Sequence, residues 1–468
     1  MNFPRILNFL FLIVLISFSC VSSRTTQTKS GPVVIEARQW SKTDGVVHYS
    51  EWQQYKAITL ATLDGFKPTS DPLKTKYGSD PSRKLKKTGF FYSQKVSGRW
   101  WIVDPDGNAT LNVALNGVRP GSSARNEQAL IERYGTEQNW IVQTHQEIEK
   151  IGFNGTACWS EVPLIRFSNT KDETPLCYTM ILNLFSGFQK QEKKAHPEGP
   201  AFPVFSPDFE VYAEKHAQKL TETKDDKELL GYFSDNELNF STGTLDDYIS
   251  LADDKDPHYL IAKAWLDKNG IEKDKITDSH REQFLGVVAE RYYKVVASAI
   301  RKYDPNHMYL GSRLHGKPKH NQFIVRAAGK YSDILSINYY GQWEPVAKHF
   351  QEWNEWANKP VIITEFYTKG DDSGMPNISG AGWRVRTQNE RGIFYENFCI
   401  RLLQMKNCVG WNWFRYMDND PTDTTADQSN SDSNKGIVNN LYELYQPLTV
   451  HMRDLNMNRY NLVRYFDN

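Results

Sequence analysis

Residues 229–238 read LLGYFSDNEL, an apolar run that ends abruptly in the polar residues Ser234 to Glu237. A strand that buries its body and presents polar groups at its carboxyl tip is a common way to build a site in an α/β protein. The same pattern also describes an ordinary strand that leads into a solvated loop, where Asp and Asn are frequent. A second apolar run, VIITEFY at residues 361–367, also ends in a glutamate, Glu365. Two such endings favour a site over a loop.

Outward from these two segments, short apolar runs alternate with amphipathic stretches such as residues 138–152 and 282–303, whose apolar positions lie three or four apart. Strands that alternate with helices predict a parallel sheet. Eight such units fit a (β/α)8 TIM barrel better than an open doubly wound sheet, and no GxGxxG follows the first strand. The predicted strands lie in the runs 109–117, 153–159, 177–184, 229–237, 308–316, 334–341, 360–367 and 408–416.

The start of the chain has the pattern of a secretory signal peptide, residues 1–20, with Arg5, an apolar stretch and then Cys20. The letters SFSC resemble a bacterial lipoprotein box, which predicts a lipid anchor at Cys20, with simple cleavage as the alternative. We expect a tether at 21–30, a β-rich N-terminal extension at 31–108 and the barrel at 109–468. The expected location is the periplasm, the outer membrane or the extracellular space.

Composition excludes some classes of partner. The 468 residues carry 56 basic and 56 acidic side chains, so no global field attracts nucleic acid. Aromatic residues make up 13% of the chain, which is typical of carbohydrate-binding platforms or of a large core.

The cysteines beyond Cys20 show no CxxC pattern, which predicts buried free thiols and no structural metal. In the polar segment 418–436, the cluster from Asp418 to Asp420 could hold Ca²⁺ or simply stay solvated.

The two glutamates occupy the ends of the fourth and seventh predicted strands, whose tips face each other across the mouth of an eight-stranded barrel. Two carboxyl groups roughly 5 Å apart are what a retaining glycosidase needs. One carboxyl group must stay protonated and the other ionised, so their environments must differ.

Asn236-Glu237 and Glu365 resemble the clan A glycoside hydrolases, in which an Asn-Glu pair ends strand four and a Glu ends strand seven. The resemblance implies that Glu237 is the acid/base and Glu365 the nucleophile. It also implies that Asn236 binds the 2-hydroxyl of the sugar beside the cleaved bond. No cofactor is implied.

Two further segments extend this resemblance. INYYGQW, at 337–343, is similar to the strand-six segment whose Tyr hydrogen-bonds the nucleophile; Tyr339 is the expected residue and Tyr340 the alternative. GWNWFRY, in strand eight, matches the place where an indole forms the floor under the sugar, so Trp411 and Trp413 are candidates; both could instead be core tryptophans.

Weaker candidates follow three other strands. Four residues after strands one and two could contact substrate hydroxyls, or could instead cap loops: Asn116, Arg119, Trp159 and Glu161. Arg313 and His315 end strand five, and His315 could donate to a sugar oxygen or to Glu237, or be purely structural.

RWWIVDPDGN (99–108), GYFSDNEL and ITEFYTKGDDSGMPNISGAG resemble the β-agarase group, glycoside hydrolase family 50. This implies a retaining hydrolase of a β-linked, agarose-type galactan, with a polysaccharide or oligosaccharide as its partner. Agarases of that family usually carry a large N-terminal carbohydrate-binding domain, whereas only residues 31–108 precede the barrel here, which favours shorter, soluble chains. The alternatives are a hydrolase of another β-glycan, such as carrageenan, porphyran or mannan, and a surface glycan-binding lipoprotein without catalysis.

Overall fold

The computed structural model describes Met1 and residues 31–43, 46–69 and 74–467. The predicted signal peptide, the anchor at Cys20 and the tether lie outside the described residues and stay predictions. Within those ranges, no helix combines the length and the apolar character that crossing a membrane requires.

The N-terminal part of the chain is rich in strands. A hairpin around the Ser97-Gly98 turn is formed by the strands β5 (Tyr92–Val96) and β6 (Arg99–Val103). The strands of this part are β1 (Val33–Arg38), β2 (Trp40–Thr43), β3 (Val46–Tyr49), β4 (Gln53–Ala57), β5 (Tyr92–Val96), β6 (Arg99–Val103) and β7 (Ala109–Thr110).

The remaining strands build a curled sheet of eight parallel strands, one from each predicted run, in the spatial order β12-β11-β10-β9-β8-β17-β14-β13. Backbone hydrogen bonds of 2.9–3.0 Å from Leu314 N to Ser336 O and from Asn338 N to Leu314 O join its two edges. The sheet is consistent with the predicted TIM barrel. In chain order the strands are β8 (Asn112–Leu115), β9 (Gly155–Thr156), β10 (Cys177–Ile181), β11 (Leu229–Phe233), β12 (Met308–Tyr309), β13 (Leu335–Asn338), β14 (Val361–Phe366), β15 (Thr368–Gly370), β16 (Trp383–Val385) and β17 (Cys408–Trp413).

Helices follow most barrel strands, and their first residues explain where they begin. Thr277 caps α8 and Thr387 caps α11. In each case the threonine hydroxyl oxygen accepts a hydrogen bond from the backbone amide of the third helical residue, and the side chain of that residue accepts one from the backbone amide of the threonine. The helices are α1 (Ala124–Tyr134), α2 (Glu137–Lys150), α3 (Val162–Asn169), α4 (Leu184–Ala195), α5 (Pro207–Ala217), α6 (Thr244–Ser250), α7 (Pro257–Asn269), α8 (Asp278–Tyr303), α9 (Gln322–Tyr331), α10 (Ala347–Ala357), α11 (Gln388–Gln404) and α12 (Gln446–Asp467).

Strand pairing crosses the predicted domain boundary at residue 108. β1 pairs antiparallel with β4 on one side and with β16, which follows the seventh barrel strand, on the other. The boundary itself stays a prediction. The predicted state of the cysteines is confirmed, because the four in the described part of the chain are buried and free.

Candidate active site

Glu365, the fifth residue of β14, lies in a nearly closed environment with 8% of its side chain exposed. Arg313 donates from Nη2 to its Oε1 at 2.6 Å, and Tyr340 donates from its hydroxyl to Oε2 at 2.8 Å. Burial raises the pKa of the Glu365 carboxyl group, whereas Arg313 and the Tyr340 hydrogen bond oppose that rise by stabilising the ionised form. The two donors orient the carboxyl group and favour its ionised form, which a nucleophile requires.

Glu237 occupies a more open position beyond the end of β11, with 33% of its side chain exposed. Asn338, the last residue of β13, donates from Nδ2 to its Oε1 at 2.6 Å. The ring of His315 approaches the same oxygen, with Nδ1 at 3.8 Å. This carboxyl group is therefore accessible both to solvent and to a ligand, as the position of an acid/base requires.

Asn236 connects the two carboxyl groups. Its Oδ1 accepts from Arg313 Nη1 at 2.9 Å and from Asn338 Nδ2 at 3.2 Å. Because both neighbours are donors, the amide oxygen must face them and the amide NH₂ must point elsewhere. The Nδ2 group donates to no other residue within the described ranges, so it is free to donate to a ligand. The structure therefore brings together the predicted Asn236, Glu237 and Glu365, with His315 beside them.

The backbone at this end of the barrel is strained. Glu237 and Arg313 both have φ of +52°, and Trp159, after β9, has φ of +69°. Residues other than glycine rarely occupy this left-handed region, and where they do they cluster at functional sites. The strain is located at three strand ends around one mouth.

The prediction for Tyr339 is wrong, and the alternative, Tyr340, is the residue that donates to Glu365. The Tyr339 side chain leaves the mouth and is almost fully buried against α10, where its hydroxyl lies 2.9 Å from His349 Nδ1 and accepts from Val346 N at 3.1 Å. Adjacent residues project to opposite sides of an extended chain, so only one of the two tyrosines can face the mouth.

The prediction that Trp411 and Trp413 form a sugar-binding floor is also wrong. Both are fully buried on the outer face of β17: Trp411 Nε1 donates to the hydroxyl of Tyr395 in α11 at 2.8 Å, and Trp413 Nε1 donates to Lys435 O at 2.9 Å. The half-exposed aromatic residue of this strand end is Phe414, whose ring lies 5.8 Å from that of Tyr367.

Asn116 does not face a substrate either. It is fully buried, donates to Thr364 O at 2.9 Å and accepts from Arg313 Nη2 at 3.4 Å, so it supports the site from within. Trp159 remains half-exposed at the mouth, 5.7 Å from the Arg313 guanidinium, and its sugar contact stays a prediction.

The 418–436 segment uses its buried carboxylate internally. Asp418 accepts from the backbone amides of Lys435 and Gly436 at 2.6–2.7 Å and from the side chains of Asn434 and Tyr445 at 2.8 Å. Across the described ranges, no group of three or more His, Cys, Asp or Glu side chains is placed to hold a metal.

Sequence reasoning missed Asn338 and the central position of Arg313. Asn338 also accepts from Thr364 Oγ1 at 2.6 Å, so it links Glu237 to the neighbouring strand. The available signal was that strands five and six, like strands four and seven, end in a polar residue after an apolar run.

No protein-family model matches the chain. β-Agarase B of Vibrio sp. (strain JT0107) is 23% identical to this chain. The match covers 81% of this chain and 49% of the length of that relative. β-Agarase A of the same strain is 31% identical over 38% of this chain and 18% of its own length. The chain thus spans half or less of the curated relatives that it matches. The names of these relatives state no clan, so clan A stays a resemblance.

Solved structures extend the match to nearly the whole chain. An exo-β-agarase shares the fold with a TM-score of 0.69 at 20% identity, covering 86% of this chain and 69% of its own. BpGH50 has a TM-score of 0.81 at 31% identity, covering 93% of this chain and 96% of its own. Identity at that level across almost a complete relative shows common membership, and the chain belongs to glycoside hydrolase family 50.

Proposed function

We propose that the chain is a retaining glycoside hydrolase that cleaves a β-linked galactan of the agarose type. The observation that carries the proposal is the hydrogen-bonded connection between Glu237 and Glu365 through Asn338, Asn236 and Arg313. One carboxyl group is enclosed and paired with a cation, and the other is open to exchange. The two environments differ as a double displacement requires.

In the first step, the Glu365 carboxylate attacks the anomeric carbon while Glu237 gives its proton to the departing glycosidic oxygen. The products are a covalent glycosyl-enzyme and the shortened leaving chain. In the second step, Glu237 removes a proton from water, whose oxygen displaces Glu365 from the same carbon. The free NH₂ of Asn236 would bind the 2-hydroxyl of the sugar beside the cleaved bond.

The choice of agarose rests on the relatives. β-Agarases A and B are named for that activity, and the fold is shared with an exo-β-agarase. A non-catalytic glycan-binding role is disfavoured, because such a protein has no need to hold two carboxyl groups in unlike environments.

The test uses Glu365→Gln and Glu237→Gln with wild-type protein on agarose, porphyran, carrageenan, mannan and cellulose. We expect wild type to release reducing ends from agarose and each variant to lose about 10²-fold or more of that activity. Nuclear magnetic resonance should show the β-anomer as the first product, which establishes retention.

Three results would reject parts of the proposal. Release from mannan or cellulose but not from agarose rejects the substrate. An α-anomer as first product rejects double displacement. A Glu365→Gln variant that binds galactan but keeps more than about one hundredth of the activity rejects the assigned nucleophile.

A further inference from the structure

Two arginines meet at the mouth of the barrel, after its first and eighth strands. β8 and β17 are hydrogen-bonded neighbours, and Arg119 and Arg415 lie in the loops that follow them. The Arg415 guanidinium lies against the loop after β8, because a Cβ added at Gly117 would lie 3.0 Å from Arg415 Nε. β17 also pairs with β14, the strand that carries Glu365. The arginines and the carboxyl groups of the site therefore occupy the same end of the barrel.

The guanidinium group of Arg415 is incompletely satisfied. Its Nη1 donates to Asn419 Oδ1 at 3.2 Å, whereas its Nε is buried without a hydrogen-bond partner in the described part of the chain. Burial and, next, the positive charge of Arg119 lower the pKa of Arg415 to about 10. Neither arginine forms an ion pair with a carboxylate within the described ranges. Two neighbouring cations without an anion repel each other, and one bound anion would relieve that repulsion.

The other charged groups nearby do not supply this anion. Asp418 and Asp427 favour the charged form of Arg415 from a distance. The oxygens of Asp418 are occupied by the hydrogen bonds described above, and Asp427 accepts from Asn430 Nδ2 at 2.8 Å. Lys435 is a further basic group, fully buried, whose Nζ donates to Asn430 O at 2.7 Å. The missing negative charge therefore has to come from a ligand.

We propose that Arg119 and Arg415 bind a sulfate ester carried by the galactan substrate, an inference that rests on the proposed function. Guanidinium groups donate paired hydrogen bonds that match the oxygens of such an anion. Arg119 is exposed, and Arg415 Nη2 donates to no other residue in the described ranges, so both side chains can contact a ligand. A free sulfate or phosphate ion has the same chemistry, so the experiment must separate the two sources.

The test measures binding of the anion and cleavage of the chain separately. Isothermal titration calorimetry with inorganic sulfate, at constant ionic strength, measures the binding. Initial rates give kcat/KM on two agarose-type oligosaccharides that differ only in one sulfate ester. Arg119→Gln removes a charge at an exposed position, and Arg119→Glu reverses it. The matched control is Arg326→Gln, which removes the charge of an exposed arginine in α9.

We expect Arg119→Gln to weaken the binding of inorganic sulfate by about tenfold and Arg119→Glu to abolish it. On the sulfated oligosaccharide, both variants should lower kcat/KM by about tenfold or more, because a hydrogen bond between charged groups is lost. On the unsulfated oligosaccharide, the loss should stay below about threefold. Arg326→Gln should leave the sulfate affinity and the ratio of the two kcat/KM values as they are in wild type.

Three results would overturn the proposal at different points. Sulfate that binds to Arg119→Glu as tightly as to wild type would be an adventitious ion only, and the arginines would form no site. Sulfate binding that depends on Arg119, combined with equal kinetic losses on the two oligosaccharides, would assign the site to a free anion instead of the galactan. If wild type cleaves neither oligosaccharide, the proposed function fails and the assignment to the galactan fails with it, while the calorimetry still decides whether the arginines bind an anion.

Discussion

Tyr339 and Tyr340 are adjacent in sequence, yet only Tyr340 touches a carboxyl group of the site. Its hydrogen bond is made to a charged acceptor, a kind of bond stronger than one between neutral groups. We expect Tyr340→Phe to lower kcat/KM on agarose oligosaccharides by about tenfold or more. Initial-rate kinetics measure this loss.

Tyr339→Phe is the matched control, because it removes the same hydroxyl group one residue away. That hydroxyl bonds only to His349 and to Val346 within the described residues, so its loss should cost about 1 kcal/mol of unfolding free energy and little activity. A larger kinetic loss in Tyr339→Phe than in Tyr340→Phe would show that the hydroxyl on Glu365 does not orient it.

Arg313 determines how easily Glu365 keeps its charge. Burial raises the pKa of Glu365, and Arg313 is the strongest influence that lowers it. Removing the cation in Arg313→Met should raise that pKa further, so Glu365 is protonated at a higher pH than in wild type. The acidic limb of the pH profile of kcat/KM should therefore move to higher pH.

Arg313→Lys is the control for this prediction. It keeps the positive charge but loses the guanidinium group, whose two nitrogens donate separately to Asn236 and to Glu365. It should lower the rate and move the acidic limb less than Arg313→Met does. An acidic limb that stays in place or moves to lower pH in Arg313→Met would contradict the electrostatic role.

At the residue scale, the sequence predicts which strand ends carry acids but not which way each neighbouring side chain points. Glu237 and Glu365 are recognisable because each follows an apolar run. The sequence does not determine which of the adjacent Tyr339 and Tyr340 faces the site, because their orientation depends on the local twist of the strand end. Asn338 also follows an apolar run, but an amide at a strand end suits a loop equally well, and its contact with Glu237 is visible only once the strands are paired.

At the scale of the element, β17 shows how close packing decides the two faces of a strand. Trp411 and Trp413 lie on the outer face and pack against α11. On the inner face a Cβ at Gly410 would lie 2.1 Å from the backbone oxygen of Asn112 in β8. No side chain could move to relieve that contact.

We expect Gly410→Ala to lower the unfolding free energy by about 3 kcal/mol or more, because backbone atoms of two barrel strands must separate. Gly270→Ala is the control: at φ of +65° after α7 it meets nothing within 4 Å, so only left-handed strain of about 1 kcal/mol is expected. Urea unfolding measures both losses of unfolding free energy, provided that the dependence of that free energy on urea concentration is the same in each variant as in wild type. Equal losses would contradict the packing explanation.

The eight barrel strands were predictable because each is a buried apolar run between amphipathic helices. The pairing of β1 with β16 was not, since the two strands are distant in sequence and β16 is only three residues long. β9 and β12 are only two residues long, so their runs predicted strands longer than the paired backbone.

At the scale of the whole molecule, the N-terminal strands are bonded into the outer layer of the barrel. Ile58 N donates to Asn397 Oδ1 at 2.9 Å, and Leu60 N donates to Glu396 Oε2 at 2.6 Å, both in α11. Tyr55 of β4 places its ring 5.0 Å from that of Trp343. These contacts cross the domain boundary that the sequence predicts at residue 108.

Such contacts should make the N-terminal strands and the barrel unfold together. Hydrogen exchange in increasing urea measures the opening free energy of individual amides. We expect the paired amides of β1 to approach the same opening free energy as those of β14, because separating β1 from β16 exposes the outer layer of the barrel. If β1 opened several kcal/mol below β14 while β14 kept its protection, residues 31–108 would be an independent unit. Tyr55→Ala sharpens the choice: in a single cooperative unit it lowers the opening free energy of both strands equally, whereas in separate units it lowers that of β1 alone.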